Sequence, residues 1–280
     1  MPPLREVLSA HGLHADKRFG QHFLLDLNLT RRIAELAGPL RGRAIIEVGP
    51  GPGGLTRALL QAGAEQVIAV ERDRRFLPLL AELAEAAGGR LAIVEADALK
   101  IDEAALLAIH APELPGLVVS NLPYNVGTPL LVKWLTGRFT PQSMTLMFQR
   151  EVALRIVAPV GDADYGRLSV LSQAVASAAL VMRLPARAFS PPPRVESAVV
   201  RLTARSDRPR PELLAALERV TAAAFGQRRK MLRSSLKTLG GATLCESAGI
   251  DPNIRAEQVD VPGHLRLAAA TLGSRNDVTA

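Results

Sequence analysis

The amino-acid sequence predicts an α/β fold, a mostly parallel sheet flanked by helices, with a small α-helical domain after it. Three observations carry that prediction. Short apolar runs alternate with amphipathic segments through the first two-thirds of the chain, which is the pattern of βαβ units. A glycine-rich turn, Gly49-Pro50-Gly51-Pro52-Gly53-Gly54, follows directly on the first of those runs. After Arg205 the alternation stops and helical periodicity takes over.

Residues 44–48 read as a short buried strand, 55–62 as a helix ending near Gly63, and 66–70 as a second strand. Asp73 can cap a helix that continues to Ala87 and stops at Gly88-Gly89. Residues 91–94, 117–119 and 144–148 supply the third, fourth and fifth strands, with helices over 128–135 and 151–157. The runs 179–184 and 197–202 have no clear helix between them and can close a seven-stranded sheet as an antiparallel edge. Pro191-Pro192-Pro193 between them is an extended loop. Residues 206–211 read as a linker, and helical periodicity returns over 212–225, 230–239 and 265–272. The expected organisation is an N-terminal helical segment (1–43), the sheet domain (44–205) and a helical domain (206–280).

With 280 residues, 48% apolar and 22% charged, the chain can bury a substantial core and is not a disordered polymer. No run approaches the roughly 18 apolar residues of a membrane span, and the N-terminus lacks the apolar core of a signal peptide. One cysteine, Cys245, excludes an internal disulfide, so a reducing, cytoplasmic location is expected. The five histidines show no metal-ligand spacing, and no metal is expected; His110 and His264 read as surface or loop residues. Trp134 and Cys245 read as buried. The net charge of +7 is unevenly placed: residues 1–180 carry 18 basic and 18 acidic side chains, residues 181–280 carry 16 and 9. The whole excess therefore lies in the last hundred residues and points to a polyanion partner.

The glycine turn lets the backbone bend tightly and approach a ligand closely. Glu71 ends the second strand, at the distance expected for a carboxylate that grips ribose hydroxyls, and Asp97 follows the third. Three strand ends thus bring Gly-rich, Glu and Asp chemistry to the carboxyl edge of the sheet, where open α/β sheets bind ligands. Up to this point a nicotinamide-dependent oxidoreductase is also open, because its phosphate site would need a glycine turn like this one. The fourth strand ends in Asn121-Leu122-Pro123-Tyr124. Proline stiffens the loop, so that the Asn121 side-chain carbonyl and the Leu122 backbone carbonyl can converge on one point. Two converging acceptors suit an exocyclic amine with its two N–H donors, and Tyr124 offers a flat face for a base.

The glycine turn, Glu71, Asp97 and Asn121-Leu122-Pro123-Tyr124 together resemble the S-adenosylmethionine-dependent amino methyltransferases. More closely, the chain resembles the small-subunit (16S) ribosomal RNA adenine N6,N6-dimethyltransferases. Matching segments include Phe19-Gly20-Gln21-His22-Phe23-Leu24, Phe148-Gln149-Arg150-Glu151-Val152-Ala153, Tyr165-Gly166-Arg167-Leu168-Ser169, 189–195 with Ser197-Ala198-Val199-Val200, and Phe225 with Arg228-Arg229-Lys230 and Leu232-Arg233. His22 departs from the Asn that many members carry; either can hydrogen-bond a carboxylate.

The resemblance implies a Rossmann-like S-adenosylmethionine-dependent methyltransferase sheet and a C-terminal helical RNA-binding domain. It implies that the N-terminal segment covers the cofactor, with His22 and Leu24 touching it. Gly49, Gly51 and Gly53 would hold the methionine part, Glu71 the ribose, and Asp97 with Ala98 the cofactor's adenine. Asn121, Leu122 and Pro123 would present the target amine, Tyr124 would stack on the target base, and Phe189 would stack from the other side. Arg228, Arg229, Lys230 and Arg233 would meet RNA phosphates; read as a helix, the segment sets Arg229 and Arg233 on one face. The implied reaction dimethylates N6 of two adjacent adenosines near the 3′ end of 16S rRNA in the small ribosomal subunit precursor, by a monomer. The alternatives are a large-subunit rRNA methyltransferase of the antibiotic-resistance type and a non-catalytic ribosome assembly factor.

Overall fold

The computed structural model describes residues 4–15 and 21–276; Phe19 and Gly20, part of one matching segment, lie outside them. In chain order the elements are α1 (Leu4–Ala10), β1 (Phe23–Leu24), α2 (Leu27–Leu36), β2 (Ala44–Val48), α3 (Gly54–Gln61), β3 (Gln66–Glu71), α4 (Leu77–Ala86), β4 (Leu91–Glu95), α5 (Glu103–His110), β5 (Gly116–Asn121) and α6 (Tyr124–Thr136). They continue with β6 (Ser143–Gln149), α7 (Arg150–Val157), α8 (Arg167–Val175), β7 (Ala176–Leu184), β8 (Phe189–Ser190), β9 (Ser197–Ala204), α9 (Pro211–Gly226), α10 (Leu232–Ser235), α11 (Gly241–Ser247) and α12 (Val261–Asn276).

The chain divides into two compact units. The first comprises Met1–Leu131, Phe139–Ala153 and Ala179–Thr203. Its centre is the seven-stranded sheet, in the order β4-β3-β2-β5-β6-β9-β7. The strands from β4 to β6 pair in parallel, and β9 joins β6 antiparallel, as the apolar runs predict. Every residue of β2 is buried, Glu47 included, which explains its otherwise apolar character. The chain leaves β2 toward β3 and β4, then crosses back to lay β5 on the other side of β2. That reversal opens a crevice at the carboxyl ends of β2 and β5, the place where such sheets take their ligands. The glycine turn and Asn121-Leu122-Pro123-Tyr124 flank it.

The second unit comprises Val132–Arg138, Leu154–Ala178 and Ala204–Ala280. It draws in α8, which has no counterpart in the strand–helix alternation and packs with α9 and α12. The Tyr165 hydroxyl donates to the Val259 carbonyl at 3.0 Å, and Arg167 bridges to Glu218 at 2.8 Å. Phe225 meets Tyr165 edge-on and lies against the His264 ring, with centroids 6.1 and 5.3 Å away.

Three sequence expectations change. His264 is fully buried rather than a surface residue. Its Nε2 faces the Ala256 carbonyl at 3.2 Å and therefore carries the proton, while burial draws its pKa down to about 4. Residues 227–231 are not helical. Met231 pairs with Arg255, and the N–H groups of Leu232 and Arg233 go to the carbonyls of Ile254 and Pro252. Those cross-chain bonds use the donors that a continuous helix would need, so Arg229 and Arg233 do not share a helical face. Asp73 caps a 3-10 turn (Arg74–Phe76) ahead of α4 rather than the helix itself. Trp134 and Cys245 are buried as expected.

Candidate active site

The cleft lies wholly in the first unit. Gly49 and Gly51 line it, with φ of +67° and +51°. A side chain at Gly49 would meet the Pro123 ring at 3.2 Å, so a glycine is needed where the two loops press together. Ser120 fastens the same loops at the backbone level. Its Oγ donates to the Val48 carbonyl at 2.5 Å and accepts from the Val48 N–H at 3.3 Å. Gly53 does not line the cleft; its α-carbon approaches the Leu83 side chain, where a Cβ would sit at 3.0 Å.

Glu71 is buried at the end of β3. One carboxylate oxygen accepts from Gly51 N–H at 3.0 Å, the other from Arg72 and Asp73 N–H at 2.9 and 2.8 Å. A carboxylate offers about four acceptor positions, so one remains for a ligand hydroxyl. Burial raises its pKa, and the three backbone donors oppose that. Asp97 accepts from Leu99 N–H at 3.1 Å and pairs with Arg72 at 3.3 Å; Ala98 lies beside it in the lining. Beneath the turn, Glu47 is almost fully buried. Burial pushes its carboxyl up to about 8, reinforced by repulsion from Glu71. Asp73 is held below the ordinary carboxylate range by Arg75, against the effect of burial and with help from Gln21.

On the other side Asn121, Leu122, Pro123 and half-buried Tyr124 all line the cleft. Among the described residues no side-chain hydrogen bond to the Asn121 amide is made, which leaves its carbonyl available. The Tyr124 hydroxyl lies 2.6 Å from Ser197 Oγ, and its ring is tilted against that of His22 with centroids 5.4 Å apart. His22 Nδ1 donates to the Pro191 carbonyl at 2.8 Å, since a carbonyl can only accept. The His22 segment is further pinned by a two-residue antiparallel ladder between β1 and β8, Phe23 to Ser190 and Leu24 to Phe189. Leu24 faces the cleft, whereas Phe189 is packed into the apolar core and is not among the lining residues.

The sequence therefore brings Gly49, Gly51, Glu71, Asp97, Ala98, Asn121 to Tyr124, His22 and Leu24 to one cleft, and leaves Gly53 and Phe189 outside its lining. Ser120, Glu47 and Ser197 were missed. Ser120 stands next to Asn121 and Glu47 next to the glycine turn, so adjacency was a usable signal; Ser197 lies in a segment that matches the family, but nothing local to it points at Tyr124. Arg228, Arg229, Lys230 and Arg233 belong to the second unit. Arg228 braces the Ala163 and Tyr165 carbonyls at 3.1 and 2.6 Å, and Arg229, Lys230 and Arg233 are exposed. Among the described residues no group of three or more His, Cys, Asp or Glu could hold a metal ion, and no helix is long and apolar enough to cross a membrane.

A family model described as ribosomal RNA adenine dimethylase matches residues 12–270. The chain belongs to that family. It is 65% identical to the ribosomal RNA small subunit methyltransferase A of Caulobacter vibrioides, over 92% of this chain and 98% of the relative. It is likewise 65% identical to the protein of that name from Phenylobacterium zucineum, over 98% and 94%. Among solved structures it resembles a dimethyladenosine transferase from Plasmodium falciparum (TM-score 0.72, 23% identity, 91% and 98% covered), which shows the shared fold. It also resembles the 23S rRNA methyltransferase ErmE (TM-score 0.65, 28% identity, 89% and 98% covered). The enzyme is thus an S-adenosylmethionine-dependent rRNA adenine dimethyltransferase. The cleft fits that cofactor. It combines a side-chain-free turn, a buried carboxylate with one acceptor position to spare, and a second carboxylate one strand further along.

Proposed function

We propose that this dimethylase acts in the cytoplasm on the small ribosomal subunit precursor, converting N6 of two adjacent adenosines near the 3′ end of 16S rRNA to dimethylamines. The observation that carries the site reading is the convergence of Asn121, Leu122, Pro123 and Tyr124 on the same cleft as Gly49 and Glu71. The 65% identity to relatives named for the small subunit, against 28% to the 23S enzyme, supports the RNA class.

Bound S-adenosylmethionine supplies an electrophilic methyl carbon on a sulfonium. The protein supplies position. Gly49 and Gly51 admit the methionine part, Glu71 takes the ribose hydroxyls, Asp97 and Ala98 border the cofactor's adenine, and His22 and Leu24 close over it. On the target side, the Asn121 and Leu122 carbonyls accept the two N–H donors of the exocyclic amine. That turns the nitrogen lone pair out of ring conjugation, so orientation replaces a strong base. Tyr124 stacks on the base, which must be unstacked from its RNA neighbours to arrive. Phe189 packs in the apolar core and does not line this cleft.

Methyl transfer from labelled cofactor tests the reading. Small-subunit particles lacking their methylations should yield dimethyladenosine, and large-subunit RNA and DNA should yield none. Product confined to large-subunit RNA would favour the resistance-type activity, and tight particle binding without transfer would favour an assembly factor.

The exposed cations of the second unit are the proposed phosphate contacts. Replacing Arg229 and Arg233 together by Ala should flatten the salt dependence of RNA binding, lowering the log–log slope by roughly 1.5 if each meets one phosphate. Arg228→Ala should instead lower the melting temperature, because it frees two carbonyls. Filter binding across salt concentrations checks the first; an unchanged slope would remove these residues from the interface.

A further inference from the structure

We propose that Ser197 is a positioning residue for the second methyl transfer: it holds the Tyr124 ring in place when the target amine has lost one of its own anchors. Ser197 is the first residue of β9 and is fully buried, with apolar Ala198, Val199 and Val200 following it in the sheet. Its Oγ lies 2.6 Å from the Tyr124 hydroxyl. A buried hydroxyl needs a partner, and the tyrosine supplies it. Tyr124 is therefore held at its far end by the rigid sheet and on one face by His22, which is itself tied to the Pro191 carbonyl.

The need for that constraint follows from the chemistry, and the inference rests on the proposed dimethylation. Each transfer forms an N6–C bond, breaks the S–C bond of the cofactor and releases one N–H proton to solvent. Before the first transfer the amine has two N–H donors for the Asn121 and Leu122 carbonyls. Afterwards it has one, so one carbonyl has no donor to accept from and the base has one anchor fewer. Its orientation then depends on the ring that stacks on it. A stacking ring free to swing would serve the first transfer better than the second. Fixing the Tyr124 hydroxyl to the sheet removes that freedom, which makes Ser197 a determinant of product multiplicity.

The test compares wild type, Ser197→Ala, Tyr124→Phe and the double variant on unmethylated small-subunit particles. It measures mono- and dimethyladenosine by mass, and cofactor binding by calorimetry. In Ser197→Ala the second transfer should slow about tenfold while the first changes less than about threefold, so monomethyladenosine accumulates. KM for the particle and cofactor affinity should stay within about twofold of wild type. Tyr124→Phe should reproduce the same product ratio, and the double variant should be no worse than either single one, since both remove one bond. Ser197→Thr, which keeps the hydroxyl, should restore part of the dimethyl product. Several results would overturn the proposal: a wild-type product ratio in Ser197→Ala, losses that multiply in the double variant, or loss of cofactor binding, which would mark the serine as merely structural. If wild type itself makes no dimethyladenosine, it is the functional reading that fails.

Discussion

Asn121→Ala should lose methyl transfer by roughly 10³-fold in kcat while keeping its fold, an effect of the size seen when one preorganised hydrogen-bonding group is removed from an active site. Asn121 ends β5 in a loop stiffened by Pro123 and fastened to β2 through Ser120, so its carbonyl is placed before the substrate arrives. Among the described residues no side chain holds its amide, so alanine leaves no protein group unsatisfied and the melting temperature should move little. Without that carbonyl one N–H of the exocyclic amine has no protein acceptor, and its lone pair stays conjugated with the ring. Asn121→Asp keeps an acceptor at the same place and should retain more activity than alanine. Single-turnover methylation of undermethylated particles, with thermal melts beside it, checks both. Activity in Asn121→Ala within about tenfold of wild type would show that Leu122 and Tyr124 suffice to orient the base.

The second large effect concerns pH and stability. Glu47 has an ordinary carboxyl pKa of 4.5 when unfolded and about 8 in the fold, raised chiefly by burial. Between those values the folded chain holds a proton that the unfolded chain has released. Stability from this group is therefore fully present below about 4.5, falls as pH rises, and is gone above about 8. The shift corresponds to a total change on the order of 5 kcal/mol. Glu71 also has a raised pKa and acts in the same direction. Glu47→Gln is neutral throughout and of nearly the same shape. It should match wild type near pH 5 and exceed it by several kcal/mol at pH 8. Denaturant unfolding at pH 5, 6, 7 and 8 measures the difference; parallel curves for the two proteins would show that Glu47 is ionised in the fold. A neutral Glu47 also spares the Glu71 carboxylate a second negative charge beneath the glycine turn.

Most of the sheet was legible before the structure, because strands β2 to β6 are announced by apolar runs and end at glycine, proline or charged residues. The helices α5 and α8 were not. In α5 the apolar residues run without a strong stripe, and α8 is buried on nearly every side, so neither shows a polar face at helical spacing. Residues 227–233 differ for another reason: their spacing suits a helix, but the N–H groups of Leu232 and Arg233 are claimed by the Ile254 and Pro252 carbonyls, some twenty positions away. His264 was misplaced because a polar ring among alanines and leucines reads as a break in burial. In the fold its ring packs on Phe225 and it buries in the neutral form.

The amino-acid pattern by itself determined the order of the strands and of most helices, the residues that end the parallel strands, and the chemistry available there. Those are local properties, set by periodicity and by the turn residues that interrupt it. Only the tertiary structure decided which of those ends meet. Val48 and Ser120 are 72 residues apart, Tyr124 and Ser197 are 73 apart, and His22 and Pro191 are 169 apart, yet each pair is in hydrogen-bond contact. The tertiary structure also separated Gly49, which the ligand cleft needs bare, from Gly53, which the Leu83 side chain needs bare. A side chain's role depends on what the sheet crossover sets opposite it, and no periodicity within a few residues of the chain carries that information.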